Sequence, residues 1–228
     1  MTYDRLRGYI PEFLRAHILH FEAAITRAVS AFAATLPDGA RVLDAGAGES
    51  QYAYLFPRHR YVAVDLGIGD AGWNYAHLDC VANLEALPLR EASCDACLNI
   101  VTLEHVREPA RVIAELGRTL RPGGRLLLVV PHEWEVHQSP HDFFRYTRHG
   151  VRYLLERGGF GEIAIEPVGG YFRLLARRLW NGLQFVPRPL LPLALLAAAP
   201  PALLLPFFDS WDRERNFTLG YICTATKS

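Results

Sequence analysis

Three aspartates, each closing an apolar, β-prone run, are the residues of this chain best placed to do chemistry together. In RVLDAGAGESQY (residues 41–52) Asp44 stands just ahead of Gly46 and Gly48, and two positions of bare backbone let a ligand approach the chain closely. Asp65 ends YVAVD, about twenty residues beyond the glycines, where a carboxylate can accept two ribose hydroxyls. Asp79 in HLDC is placed to accept an adenine amino group. A dinucleotide fingerprint, GxGxxG, needs glycine where Gln51 stands. A carboxylate at position 44 would moreover repel a pyrophosphate by roughly a kcal/mol in partly buried surroundings. A phosphate-free cation suits three acids better, and S-adenosylmethionine carries both an ammonium and a sulfonium. The competing reading makes each acid a cap or a solvated strand end, and it weighs most for Asp79.

A second constellation lies in PHEWEVHQSPHDFFRYT, residues 131–147, with its three histidines, one aspartate, one arginine and several aromatic rings. If a hydroxyl is to be activated, His137 is the first choice of general base, with His141 and Asp142 as rivals and Arg145 as a clamp on the acceptor. His132, Trp134, Phe143 and Tyr146 are the candidates to contact that acceptor, as is His105 in LEHV. The plainer alternative pairs Asp142 with Arg145, one helical step apart, and leaves the histidines to cap the loop.

The elements that must position these groups follow from periodicity. Apolar residues recur at helical spacing from Pro11 to Leu36, and PDG stops the run. Strands are predicted at Arg41–Asp44, 61–67, around His77–Cys80, over CDACLNIV, RLLLVVP and IAIEPV, and in the closing FTLGYICTAT. A short helix is expected after the glycines. PARVIAELGRTL forms another with Val112, Ile113, Leu116 and Leu120 on one face, and HGVRYLLERGGF is a third with its glycine stop. Strands alternating with helices, several apolar on both faces, imply a mostly parallel α/β sheet covered on each side. One domain over 1–228 is expected, with a leading helical segment at 1–37 and an insertion at 169–216 before the last strand.

VLDAGAGES, VAVDLG, LDCVANLEALPLREASCDACLNIVTLEHV and ELGRTLRPGGRLLLVVP, in that order, resemble the class I S-adenosylmethionine-dependent methyltransferases of the small-molecule type. The resemblance covers about residues 38–168 and the last strand. It implies a Rossmann-like seven-stranded sheet of order 3-2-1-4-5-7-6 and S-adenosylmethionine as cofactor. Asp44, Gly46 and Gly48 then lie at its methionine end, Asp65 and Leu66 at the ribose, and Asp79 and Cys80 at the adenine. Asn99 and Val101 border the methyl group. Ser50 stands where a third glycine is frequent, and the segment after the second strand is too short for the usual helix. HQSPHDFFRYT resembles a substrate-side signature of such enzymes, some associated with glycan or lipid-linked sugar modification.

Lys plus Arg equals Asp plus Glu at 24 each, so no global field favours a polyanion, and nucleic acid is not an expected partner. The CxxC of Cys94 and Cys97 sits at a strand entry, where residues three apart point to opposite faces, and buried thiols are expected rather than a metal. No metal site is anticipated.

In the insertion, YFRLLARRLWNGLQFV puts Arg173, Arg177, Asn181 and Gln184 on one helical stripe opposite leucines, a pattern for an interfacial helix with a basic wet side. PLLPLALLAAAPPALLLPFF follows, apolar but holding five prolines. A hydrophobic hairpin dipping into one leaflet is expected there. Membrane contact through 171–208 would bring a lipid-linked or other small-molecule acceptor to a cytoplasmic enzyme on the inner face of a membrane; a lid or a homodimer interface is the alternative. O-methylation of a hydroxyl is the leading function. The rivals are C- or N-methylation of a soluble metabolite, a nicotinamide-dependent oxidoreductase, and a non-catalytic cofactor-binding recruitment module.

Overall fold

A computed structural model describes residues 12–70 and 72–228; the first part of the leading segment, residues 1–11, lies outside them. The chain divides into two compact units, one made of Thr26–Glu166 with Tyr221–Ser228 and the other of the described residues up to Ile25 with Pro167–Gly220.

Seven strands form one sheet in the order β3-β2-β1-β4-β5-β7-β6, as the resemblance implied. They are β1 (Arg41–Ala45), β2 (Arg60–Asp65), β3 (Cys80–Val81), β4 (Cys94–Ile100), β5 (Leu120–Pro131), β6 (Phe160–Val168) and β7 (Gly220–Lys227). β1 pairs in parallel with β2, Asp44 opposite Ala63, and with β4, Asp44 opposite Leu98. That register brings the carboxyl ends of β1, β2 and β4 to one edge, with the switch point of the strand order between β1 and β4, where ligands of open α/β sheets bind.

Burial explains why the central strands carry no alternation. Val42, Leu43, Ala96, Cys97, Leu98 and Leu126–Val130 are at most 1% exposed, so both faces of these strands are covered. Between β4 and β5 lies α3 (Pro109–Thr119), opened by Pro109 in its first turn and seating Val112, Ile113 and Leu116, all 0% exposed, on the face predicted. Each such side chain stabilises the fold by about 2 kcal/mol. The helix α4 (Arg148–Arg157) starts at Thr147, whose hydroxyl accepts the Gly150 N–H at 3.1 Å, and ends at Gly158 and Gly159.

The leading run is two helices rather than one, α1 (Glu12–Ile18) and α2 (His20–Ala34). The helix expected after the glycines is absent: the loop from Gly46 to β2 holds only a three-residue 3-10 turn, Ala53–Leu55. Ser50 at φ 57° and Pro57 leave too little chain for a helix there. β3 starts at Cys80, later than anticipated, so Asp79 stands just ahead of it. As expected, no helix follows β2 among the described residues.

The other unit contains α5 (Tyr171–Gly182) and α6 (Leu191–Leu204), and here two expectations are corrected. Arg177 is not on a wet face: it is 5% exposed and pairs with Glu22 at 3.1 Å. Arg173 pairs with Asp209 at 3.4 Å. Asp209 also accepts the Gly170 and Arg173 N–H groups, both at 3.1 Å, so the basic stripe serves to fasten the helix. Nor does 187–208 turn back on itself. Arg188–Trp211 is one helical run of 24 residues, with prolines in its first turn and Pro200 and Pro201 within it. By length and composition it can cross a membrane, and only 11% of its most apolar window is buried.

Candidate active site

Asp44, 1% exposed at the end of β1, accepts a hydrogen bond from the Tyr61 hydroxyl on the neighbouring strand. Burial pushes its carboxyl up to about 7; the Tyr61 bond opposes this and the nearby Asp65 charge adds to it. In the chain alone this acid is half neutral near physiological pH. A cation beside it would restore its charge.

Gly46 and Gly48 turn the backbone away from the sheet with φ of 88° and 54°. Ser50, in the place of a third glycine, takes the same left-handed backbone, which explains why glycine is frequent there and shows that serine tolerates it. The Asp65 Oδ2 accepts the Gly48 N–H at 2.9 Å and Oδ1 accepts the Gly67 N–H at 2.7 Å. One acid thus ties the glycine turn to the end of β2. Each carboxylate oxygen keeps a further lone pair for a ligand hydroxyl. Asp79 is exposed, and its Oδ2 accepts the Ala63 N–H at 2.8 Å, a strand-end bond that leaves the second oxygen for a ligand. Leu66 is exposed and Cys80 half-buried beside these acids in sequence.

Two aromatic residues that the sequence reading passed over close this corner. The loop between β2 and β3 returns over the glycines: Glu49 accepts the Asn74 N–H at 2.8 Å, and the Gly69 N–H reaches the Tyr75 hydroxyl at 2.7 Å. A Cβ on Gly48 would meet the Trp73 ring at 3.1 Å. Two rings among glycines were the available signal.

At the end of β4, Asn99 is 0% exposed and donates to the Ala45 carbonyl at 2.7 Å, while its Oδ1 has no partner among the described residues. Val101 holds φ at 51°. A buried, unspent acceptor beside the glycine turn is what a cofactor ammonium would satisfy. The residues present therefore fit S-adenosylmethionine: bare backbone, ionisable carboxylates, and an unpaired amide oxygen.

The loop 131–147 is held by its own charges. Arg145 binds both oxygens of Asp142, at 2.6 and 2.8 Å, and also donates to the carbonyls of Trp134, Glu135 and Phe144. Burial of Asp142 works against ionisation, but Arg145 and the His137 N–H together bring it down to about 2. The aspartate is thereby spent as an anchor rather than free as a base, and the guanidinium fastens the loop. His132 and Tyr146 are anchors as well: His132 Nδ1 lies 2.8 Å from the Tyr146 carbonyl, and the buried Tyr146 hydroxyl donates to the Leu103 carbonyl. Phe143 and Phe144 are exposed, and the Arg107 guanidinium lies over the Phe143 ring. Trp134 and His141 are half-buried.

The loop converges on the turn after β4. The N–H groups of Phe143 and Phe144 donate to the Glu104 carbonyl. His105 Nδ1 meets the His141 carbonyl at 2.6 Å, and its ring stands edge-on to that of His137, centroids 4.7 Å apart. Glu104, not singled out in the sequence, is 0% exposed, and burial pushes its carboxyl up to about 8. Burial lowers the basicity of His105. The four cysteines are free, and burial raises the thiols of Cys94, Cys97 and Cys223, which makes them inert core groups.

Residues 43–128 match the family model described as a methyltransferase domain. The chain is 32% identical over 149 residues to a tRNA (carboxymethyluridine(34)-5-O)-methyltransferase of Arabidopsis thaliana, covering 61% of this chain and 35% of that protein. It is 32% identical over 113 residues to the malonyl-[acyl-carrier protein] O-methyltransferase of Hahella chejuensis, covering 44% of this chain and 40% of that one. The chain thus spans well under half the length of these curated relatives. In structure it is similar to the 1,6-didemethyltoxoflavin-N1-methyltransferase of Burkholderia thailandensis, with bound S-adenosylhomocysteine, at a TM-score of 0.56 and 20% identity over 98% of this chain and 87% of that one. Residues 43–128 thus form a methyltransferase domain, and the strand order and the geometry at the carboxyl edge of the sheet are those expected of the class I S-adenosylmethionine-dependent methyltransferases that the sequence resembles.

Proposed function

We propose that this protein transfers a methyl group from S-adenosylmethionine to an acceptor hydroxyl, and that it works on a sugar or lipid-linked glycan at a membrane surface. One observation carries the cofactor assignment: Asp44 and Asp65 flank a left-handed glycine turn that no α-helix follows. A pyrophosphate would need that helix N-terminus and would face the buried carboxylate, so the nicotinamide alternative is disfavoured. When bound, S-adenosylmethionine supplies an electrophilic methyl on a sulfonium. Asp65 would accept the ribose hydroxyls, Asp44 and the Asn99 Oδ1 would hold the ammonium, and the glycines would admit the ligand against the backbone. The acceptor hydroxyl would give its proton to His137, beside His105, or to His141, the loop's own remaining bases, because Asp142 is held by Arg145. Both curated relatives are named as O-methyltransferases, which favours oxygen over nitrogen or carbon.

The enzymatic reading is tested with labelled S-adenosylmethionine, purified protein and a cell extract divided into organic-soluble, nucleic-acid and aqueous fractions. Label should enter the organic-soluble fraction, and Asp65→Ala should weaken S-adenosylhomocysteine binding by about 30-fold or more, as expected for losing charge-assisted hydrogen bonds. Label confined to RNA would instead support the reading favoured by the tRNA-modifying relative. Absence of label from every fraction, with cofactor binding intact, would favour a non-catalytic module.

The membrane part rests on the outward apolar face of the long helix, where Leu193, Leu196 and Phe207 are 68%, 73% and 74% exposed. Such a surface on a soluble monomer is unusual. In liposome flotation most of the wild-type chain should rise with the vesicles, whereas the triple change of Leu193, Leu196 and Phe207 to Gln should stay at the bottom. Equal recovery of both at the bottom, with the wild type dimeric by light scattering, would assign the face to a second copy instead.

A further inference from the structure

Three groups that lie apart in the sequence meet in one place. One ligand-capable atom from each of Glu104, His105 and His137 lies within 4.8 Å of the others. Both Glu104 oxygens and His105 Nε2 are buried without a hydrogen-bond partner among the described residues, and His105 Nε2 stands 3.7 Å from the nearer oxygen, too far for a hydrogen bond. A carboxyl buried and unpaired stays protonated with its oxygens unspent unless a counter-charge or a metal takes it up.

The histidines are oriented for the second. His105 Nδ1 points at the His141 carbonyl at 2.6 Å and must carry its proton there. His137 Nδ1 lies 3.2 Å from the Glu135 carbonyl and 3.4 Å from Asp142 Oδ2, two acceptors. With Nδ1–H thus engaged in both rings, each neutral imidazole presents Nε2 as a lone pair, the orientation that outer carbonyl and carboxylate partners impose on metal-binding histidines. Asp142, itself fixed by Arg145, completes that outer layer.

We propose that Glu104, His105 and His137 form a binding site for a divalent first-row transition cation. Two imidazoles and one carboxylate suit Zn²⁺, Co²⁺ or Fe²⁺ over the oxygen-seeking Mg²⁺ and Ca²⁺, and three protein ligands leave coordination positions open. An acceptor oxygen taken up there would lose its proton more readily, and with His105 and His137 engaged as ligands that proton would pass to His141 or to solvent instead of to His137. The site rests on the cluster's geometry and does not require the methyl-transfer reading.

The test uses the full chain, free of any affinity tag and stripped with chelator, titrated with Zn²⁺ by calorimetry and with Co²⁺ by visible absorption. One equivalent should bind, and Co²⁺ should develop the d–d band of a site with nitrogen ligands. Glu104→Gln and His137→Ala should each weaken Zn²⁺ binding by about 10–100-fold, while His149→Ala, an exposed histidine elsewhere, should not. Circular dichroism and thermal melting of each variant separate loss of the site from loss of the fold. Equal Zn²⁺ uptake by folded wild type and both cluster variants, or none by the wild type, overturns the proposal. S-adenosylhomocysteine titrated in parallel keeps the two readings apart: a protein that takes up the nucleoside but no cation loses only the metal site.

Discussion

Asp44→Asn should make the ligand-free protein more stable than wild type at pH 8 and no more stable at pH 5, while abolishing most of its cofactor affinity. The sign follows from linkage. In the unfolded chain Asp44 ionises near its ordinary value of 3.8, but in the fold burial holds it protonated until about 7. Between those values the native state binds one more proton than the unfolded state, so this group's contribution falls as pH rises and is flat above about 7. Three units of pKa correspond to about 4 kcal/mol as a ceiling. Asparagine carries no such dependence, although burying its amide costs part of the gain, so about 2 kcal/mol should remain at pH 8. For a chain of this size that is a rise of about 4–8 °C in melting temperature. The decisive quantity is the difference in melting temperature, variant minus wild type, as a function of pH; a difference that stays level from pH 5 to pH 8 would show that the carboxyl is not perturbed. A cationic ligand reverses the preference, because it stabilises only the ionised form. Wild-type affinity for S-adenosylmethionine should therefore climb through pH 7, and that slope should vanish in the variant.

The same residue shows what could be read from the chain alone. Asp44 and Asp65 declared themselves because each ends an apolar run, and a parallel sheet brings the ends of such runs to one edge without further information, whereas Asp79 reaches that edge by preceding β3, not by ending it. The sheet order was available only through the resemblance, since periodicity identifies strands but not their neighbours. What stayed hidden depends on long-range pairing. Nothing local in YFRLLARRLW indicates that Arg177 will find Glu22, 155 residues earlier in the chain; helical spacing sorts residues by face but cannot say whether a face meets water or a carboxylate. Glu104 was passed over for a related reason. It lies in a 3-10 turn and is buried because the loop 131–147 folds back onto its carbonyl, a contact without any period in the sequence. The missing helix after the glycines came from reading the loop as a standard nucleotide-binding turn, when Ser50 and Pro57 had already limited it.

Gly46→Ala should be among the most damaging single-methyl additions in the protein, and the reason can be separated into two parts. At φ 88° an alanine is strained in any surroundings, by about 1–2 kcal/mol. In addition its Cβ would stand 2.3 Å from Thr102 Cγ2, 2.5 Å from Oγ1 and 2.7 Å from Cβ, so turning the Thr102 side chain does not relieve the contact. Thr102 cannot simply retreat, because its one hydroxyl proton is shared between the carbonyls of Gly46 and Ile100 and fixes the glycine turn against the end of β4. Gly39 supplies the control. It has φ 79° with nothing within 4 Å of an added Cβ, so Gly39→Ala carries the backbone cost alone. Gly39→Ala should lower stability by about 1 kcal/mol, and Gly46→Ala by about 3 kcal/mol or more, with cofactor binding lost because the turn must move. Pairing Gly46→Ala with Thr102→Gly, read against Thr102→Gly alone to take out the lost hydroxyl bond and side chain, should recover the steric part and leave the backbone part. Chemical denaturation of the five proteins, Thr102→Gly alone included, separates these terms, and a Gly46→Ala variant no less stable than Gly39→Ala would mean that the end of β4 does not pack on the glycine turn, removing the scaffold that brings Asn99 to the ligand.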